Sequence, residues 1–178
     1  MKALFASAFL LISTASFSQY LPLGAITMPV EGYVVTESGD TLRGKVRVAS
    51  MVNESPATVV VEGPERGRKK FRSDELRTVF QRIPAFAYAT GSIPRQRQAV
   101  VFDRIRHPGR GGKAVLVERL TEAGDPVGLY FDATGWKRNV EFTFGNFELA
   151  TLPEDLSYIL VEDGQPGRLV RKRELTRR

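Results

Sequence analysis

The chain has 178 residues, with 26 Lys and Arg against 20 Asp and Glu, a formal net charge of +6, one histidine and no cysteine. The absence of cysteine excludes disulfide staples, thiolate metal sites and a lipid attached through a cysteine, and a lone histidine excludes multi-histidine metal centres within one chain. The positive surplus either serves solubility or favours contact with anionic material.

The N-terminus reads as an export signal. Met1-Lys2 supplies one positive charge, Ala3 to Ile12 an apolar run, and Ser13-Thr14-Ala15-Ser16 the small residues of a cleavage region. Residues 1–18 are therefore expected to be a signal peptide, with Gln19 as the first residue of the mature chain. An uncleaved anchor needs about 20 predominantly apolar residues, and Ser7, Ser13, Thr14, Ser16 and Ser18 dilute a shorter run. No later segment approaches that length. Cleavage leaves about 160 residues, enough for one domain with its own core. The expected location is the periplasm, the outer-membrane periphery or the extracellular space. That makes nucleic acid an unlikely partner, and leaves anionic polysaccharide, lipid headgroups or another envelope protein.

Residues 19–30 lack periodicity and read as a leader, extended or mobile. Glu31 to Thr36 and Thr41 to Val48 flank Glu37-Ser38-Gly39-Asp40, where Gly39 can take positive φ, so the segment is a β-hairpin. Leu42, Val46 and Val48 share one parity, opposite Arg43, Lys45 and Arg47, and Gly44 interrupts the apolar row as though a neighbouring side chain needed room. Ala57–Glu62 and Arg68–Arg72 repeat the pattern around Gly63–Gly67. Ser73-Asp74-Glu75-Leu76 suits one helical turn capped by Ser73, and Arg77–Arg82 resumes as strand. Pro84 and Pro94 bracket a short strand expected at Ala85–Thr90. Further strands are expected at Ala99–Arg104, Ala114–Glu118, Val127–Phe131, Val140–Phe144 and Tyr158–Val161, and Leu169-Val170 closes a last hairpin. The sum is an all-β domain over 31–172, with one or two short helical turns at most, whose antiparallel hairpins form a sheet, sandwich or partly closed barrel. A basic tail, 173–178, follows and is expected to fray.

The stretch Gly32-Tyr33-Val34-Val35-Thr36 followed by Gly39-Asp40-Thr41-Leu42-Arg43-Gly44 resembles the opening hairpin of a family of secreted Bacteroidota proteins of unknown function. Val115 to Leu120 with Gly128-Leu129-Tyr130, and Tyr158 to Val161 with Leu169-Val170, are similar to that family's later hairpins. The resemblance implies a cell-envelope location. It carries no activity and no functional residue.

No catalytic, cofactor or metal set emerges. His107 lies in a glycine-rich basic loop, Arg106 to Lys113, but that loop lacks the spacing and the hydroxyl residue of a phosphate-binding loop. Asp40 with Ser38 and Thr41, or Glu162-Asp163, could offer oxygen ligands to calcium, yet turn chemistry explains them. Glu118 and Asp132 are candidates for a glycosidase pair only if they face each other. The basic clusters are the stronger signal. Arg66, Arg68, Lys69, Lys70 and Arg72 concentrate charge around one hairpin. A second group comprises Arg95, Arg97, Arg104, Arg106, Arg110 and Lys113, and the tail from Arg168 forms a third. If they converge, they form a face for anionic polymers; otherwise they solubilise loops or protect an edge strand. Phe71, Phe80, Phe102, Phe142 and Phe144 are expected in the core. Trp136, flanked by Lys137 and Arg138, is a candidate for stacking on a sugar ring. The expectation is a non-enzymatic binding or assembly module of the envelope, the alternatives being a hydrolase of envelope polymers or a small outer-membrane β-barrel.

Overall fold

The structure, a computed structural model, describes residues 22–52, 55–63, 67–90, 93, 95–122, 125–132, 158–162 and 166–175, without a side-chain account of 90, 172 and 173. The export segment 1–18, Arg66, Trp136 and the strand expected at Val140–Phe144 lie outside the described residues.

Alternating β-branched residues build β1 (Val30–Thr36), β2 (Thr41–Val52), β3 (Ser55–Gly63), β4 (Gly67–Arg72) and β5 (Leu76–Arg82). The chain continues through β6 (Ala99–Arg106), β7 (Ala114–Arg119), β8 (Val127–Phe131), β9 (Tyr158–Glu162) and β10 (Arg168–Val170). They form a 10-stranded antiparallel sheet in the order β10-β9-β8-β7-β6-β5-β1-β2-β3-β4. Neighbours in the sheet are consecutive among the described strands except for one pair: β5 returns past three strands to pair with β1, placing Tyr33 opposite Phe80 and Val34 opposite Val79. The first hairpin is as expected, with Gly39 at φ 94° and its N–H donating to the Thr36 carbonyl at 3.0 Å.

The sheet is strongly curled. β3 and β7 stand five places apart, about 24 Å in a flat sheet, yet their Cα atoms come within 8 Å of each other. The strand twist that L-residues impose accumulates into this closure of one face. The curl stops short of a barrel, because β4 and β10 remain the two ends of the order. The concave face holds the main core: Val34, Val46, Val48, Val59, Leu76, Val79, Val100, Phe102 and Leu116 are buried together with Phe71. Each fully buried Val or Leu contributes about 1.5–3 kcal/mol. Towards β10 the sheet is covered on both sides, by Leu129, Tyr158, Leu160 and Val170 on one face and Val117, Tyr130 and Ile159 on the other.

Several local expectations need correction. Ala85–Thr90 is a 3-10 helix, not a strand; Pro84 sets the turn, its carbonyl accepting from the Ala87 N–H at 2.9 Å, and the segment pairs with no strand. The helical turn Ser73–Glu75 exists, but its cap is Glu75, whose carboxylate accepts from the Arg72 N–H at 2.6 Å. At Gly44 backbone, not a side chain, needs the room, since a Cβ there would lie 2.3 Å from the Glu62 carbonyl oxygen. Phe80 is outside the core: it has the opposite parity to Val79 and stacks on Tyr33 on the convex face. Instead of only fraying, the chain end forms α1 (Lys172–Leu175), and Leu175 packs against the Leu129–Tyr158 cluster.

The leader is the largest surprise. Residues 22–29 are extended, as one reading had it, but far from being mobile they run along the concave face. Leu23, Ala25 and Ile26 pack on the main core, and the Ile26 carbonyl accepts from the Val48 N–H at 3.1 Å.

Candidate functional site

Strand register decides which of the basic residues share a surface. Lys45 pairs with Glu62 and Arg47 with Val60; on the other side of β3, Glu62 pairs with Arg68 and Val60 with Lys70. Arg43, Lys45 and Arg47 of β2 therefore lie on the same convex face as Arg68, Lys70 and Arg72 of β4. Two rows of cations flank β3, about 10 Å apart across the sheet, with about 7 Å between successive residues of a row. Glu62 is the acid set between them, 3.8 Å from Arg68. Arg72 pairs with Asp74 at 3.1 Å. Among the described residues, Lys45, Arg47 and Lys70 have no ion-pair partner within 4.0 Å; Lys45 and Lys70 are exposed and Arg47 is half-buried.

The structure thus splits the cluster proposed at Arg66, Arg68, Lys69, Lys70 and Arg72. Arg68, Lys70 and Arg72 converge on the convex face. Lys69 has the parity of Phe71 and sits over its ring at 4.9 Å on the other side. Of the second basic group, Arg97, Arg104 and Arg110 are taken up by carboxylates instead, while Arg95 lines a pocket together with Lys45. Arg97 pairs with Glu118 at 2.5 Å, Arg104 with Glu37 at 2.8 Å and Arg110 with Asp132 at 2.9 Å. Sequence reasoning missed Arg43, Lys45 and Arg47 as members of the patch, although their shared parity was the available signal.

Beside the cations the convex face carries aromatic rings. The Tyr33 and Phe80 rings stack at 4.8 Å and 7°, and the Arg43 guanidinium lies 5.3 Å from the Tyr33 centroid. Further along the same row Arg119 is 6.0 Å from the Tyr130 ring and 3.5 Å from Asp103, which accepts from the Thr78 hydroxyl at 2.9 Å. Burial pushes the Tyr130 phenol above its ordinary value. The charge of Asp103 and the hydrogen bond to it act in the same direction, and Arg119 opposes them.

Two buried polar clusters account for the other candidates. Glu118 is 2% exposed, and its two carboxylate oxygens accept from the Leu23 and Gly24 N–H groups, each at 2.8 Å. Gln81 is fully buried; its amide accepts from the Ile26 N–H at 3.0 Å and donates to the Ile26 carbonyl at 2.7 Å. Both side chains hold the leader's backbone. On the other face, Asp132 accepts from His107 at 2.7 Å and from Arg110 through both oxygens. The Gly109 N–H donates to His107 Nδ1 at 3.0 Å, so Nε2 of the neutral ring carries the hydrogen given to Asp132. His107 is 1% exposed and ties the Pro108–Lys113 loop to the end of β8. Glu118 and Asp132 are on opposite faces of the sheet, each engaged locally, and do not form a carboxylate pair. Asp40 accepts from Ser38 at 2.7 Å, which is turn chemistry, and among the described residues no group of three His, Cys, Asp or Glu could hold a metal ion.

No protein-family model, no curated protein and no solved structure matches this chain. Among the described residues no helix is long and apolar enough to cross a membrane.

Proposed function

We propose that this chain is exported and works in the cell envelope as a non-enzymatic binding module that docks on an anionic envelope component through the convex face of β2–β4. The N-terminal pattern of residues 1–18 supports the location, together with the resemblance of the G-D-T hairpin to secreted Bacteroidota proteins. One observation carries the binding reading. Register aligns Arg43, Lys45 and Arg47 with Arg68, Lys70 and Arg72 into two rows on one face, with Glu62 between them and Glu31 of β1 beside Lys45. Edge protection accounts for cations on β4, which ends the sheet, but not for those on β2, an internal strand. Repeated positive charge at fixed spacing suits a polymer or surface bearing repeated carboxylate or phosphate groups. The hydrolase reading loses its carboxylate pair to the opposite placement of Glu118 and Asp132.

The test is co-sedimentation of the mature chain with an isolated envelope fraction at low and high salt. Association should weaken with salt and fall at least about tenfold in a Lys45→Glu, Lys70→Glu variant; because Glu at position 45 would face Glu31 and Glu62 across the neighbouring strands, the comparison uses protein shown by urea denaturation to be folded. Binding that ignores both salt and these substitutions would refute the reading.

A further inference from the structure

A groove of about 830 Å³ opens on the convex face next to the cationic rows, walled by Tyr33 and Phe80, floored by Ala99 and Val101, and edged by Asp103 and Arg119. Gln98 and Thr121 stand at its rim, and Glu122 and Asp125, the latter accepting from the Glu122 N–H at 3.0 Å, also line it. From these residues we infer that the groove is a saccharide subsite, and that the anionic component is an acidic polysaccharide. This deepens the proposed function and rests on the convex face being the binding surface.

The groove is neither simply apolar nor simply charged, and that mixture selects the ligand. A pyranose ring presents C–H groups on its faces and hydroxyls around its edge. The first suit an aromatic wall; the second need fixed donors and acceptors. Both are supplied by two adjacent cross-strand rows, with Asp103 beside Thr78 in the second. Register aligns Tyr33, Phe80, Val101 and Arg119 across β1, β5, β6 and β7. The Tyr33 and Phe80 rings brace each other at 4.8 Å, so the wall is rigid before any ligand arrives. Asp103 is held by Thr78 and Arg119, which fixes the acceptor and donor in place. Preorganisation of this kind lowers the cost of binding a flexible, well-hydrated ligand. An acyl chain, by contrast, would leave Asp103 and Arg119 buried against hydrocarbon.

The acidic character follows from continuity. At its Tyr33 end the row runs on to Arg43, which pairs with Tyr33 in register and belongs to the cationic row with Lys45 and Arg47. From β5 to β2 is about 10 Å across the sheet, within the span of a short oligosaccharide. A sugar seated at Phe80 thus extends its neighbours over solvent-facing cations, which favours units bearing carboxylates.

The experiment titrates the full mature chain with oligogalacturonate, with a neutral oligosaccharide of equal length, and with vesicles of an anionic phospholipid, comparing the parent with Phe80→Leu, Gln98→Ala and Lys45→Glu/Lys70→Glu. Oligogalacturonate should bind best. Phe80→Leu, which keeps an apolar wall but removes the ring face, should weaken it about five- to tenfold, and Gln98→Ala, at an exposed rim position that cannot disturb the core, about two- to fivefold. Charge reversal should weaken it in a salt-dependent manner. If charge reversal abolishes oligogalacturonate binding while Phe80→Leu and Gln98→Ala leave it unchanged, the subsite is wrong and the electrostatic reading stands. If vesicles bind and oligogalacturonate does not, the polymer class is wrong. If charge reversal alters neither, the binding face itself is wrong.

Discussion

The two faces of the curled sheet treat their polar side chains in opposite ways, except towards β10, where His107 and Asp132 are buried on the convex side as well. On the concave face Glu118 and Gln81 are buried and satisfied by the backbone of the chain's own leader. On the convex face Lys45 and Lys70 stand in solvent, Arg47 is half-buried, and the stacked pair Tyr33 and Phe80 is half-buried beside a groove. The same alternation of residues produces both. What differs is that curling brings one face against itself and against residues 22–29, while it spreads the other outward. The concave side is therefore where substitution should cost stability, and the convex side where it should cost binding.

The largest effect should come from Glu118→Ala. It removes the acceptor for the Leu23 and Gly24 N–H groups and leaves the Arg97 guanidinium, 10% exposed, without its carboxylate. Breaking a buried pair from one side costs about 3–5 kcal/mol, measurable by urea denaturation; a loss below about 1 kcal/mol would show that the leader is not held as described. Gln81→Leu keeps the volume but strands the Ile26 N–H and carbonyl, so a loss of about 2–3 kcal/mol is expected in the same assay. Both variants should retain the salt-dependent association of the convex face wherever they remain folded. Loss of association without unfolding would mean that the two faces are coupled.

The smallest effect concerns pH. Tyr130 is buried on the convex side of the sheet, and its phenol is raised above its ordinary value of 10.0, first by burial and then by Asp103. The unfolded chain therefore loses this proton at lower pH than the folded one. The contribution is fully present below about pH 10 and is lost as pH rises towards the higher folded value. Tyr130→Phe should show a shallower alkaline decline than the parent in denaturation curves recorded from neutral to alkaline pH; equal slopes would contradict the direction of the shift.

Much of the architecture was legible because it is local. Turn chemistry at Gly39 and Asp40 and the alternation of Leu42, Val46 and Val48 each depend on a few neighbouring residues, and both the hairpin and its inward row are present. The failures have a common cause in distance along the chain. Ala85–Thr90 alternates like a strand, yet strandedness requires a partner, and among the described residues it pairs with none. Phe80 looks like core by type, but its parity beside Val79 sends it outward. Lys69 and Lys70 are adjacent in sequence and therefore on opposite faces, so a basic run counted by sequence proximity includes Lys69, which faces away, and overlooks Arg43, Lys45 and Arg47.

By itself the sequence determined the β class, the first hairpin, the positions of most strands and the positive balance, since these follow from backbone preference and period-two burial. Only the tertiary structure decided that β5 returns to β1, that the sheet curls until β3 and β7 meet, and that the leader lies inside that curl. Those outcomes rest on contacts between residues far apart in the chain: Leu23 with Glu118, Ile26 with Gln81, Tyr33 with Phe80. Periodicity states which way a side chain points, and register alone states what it meets.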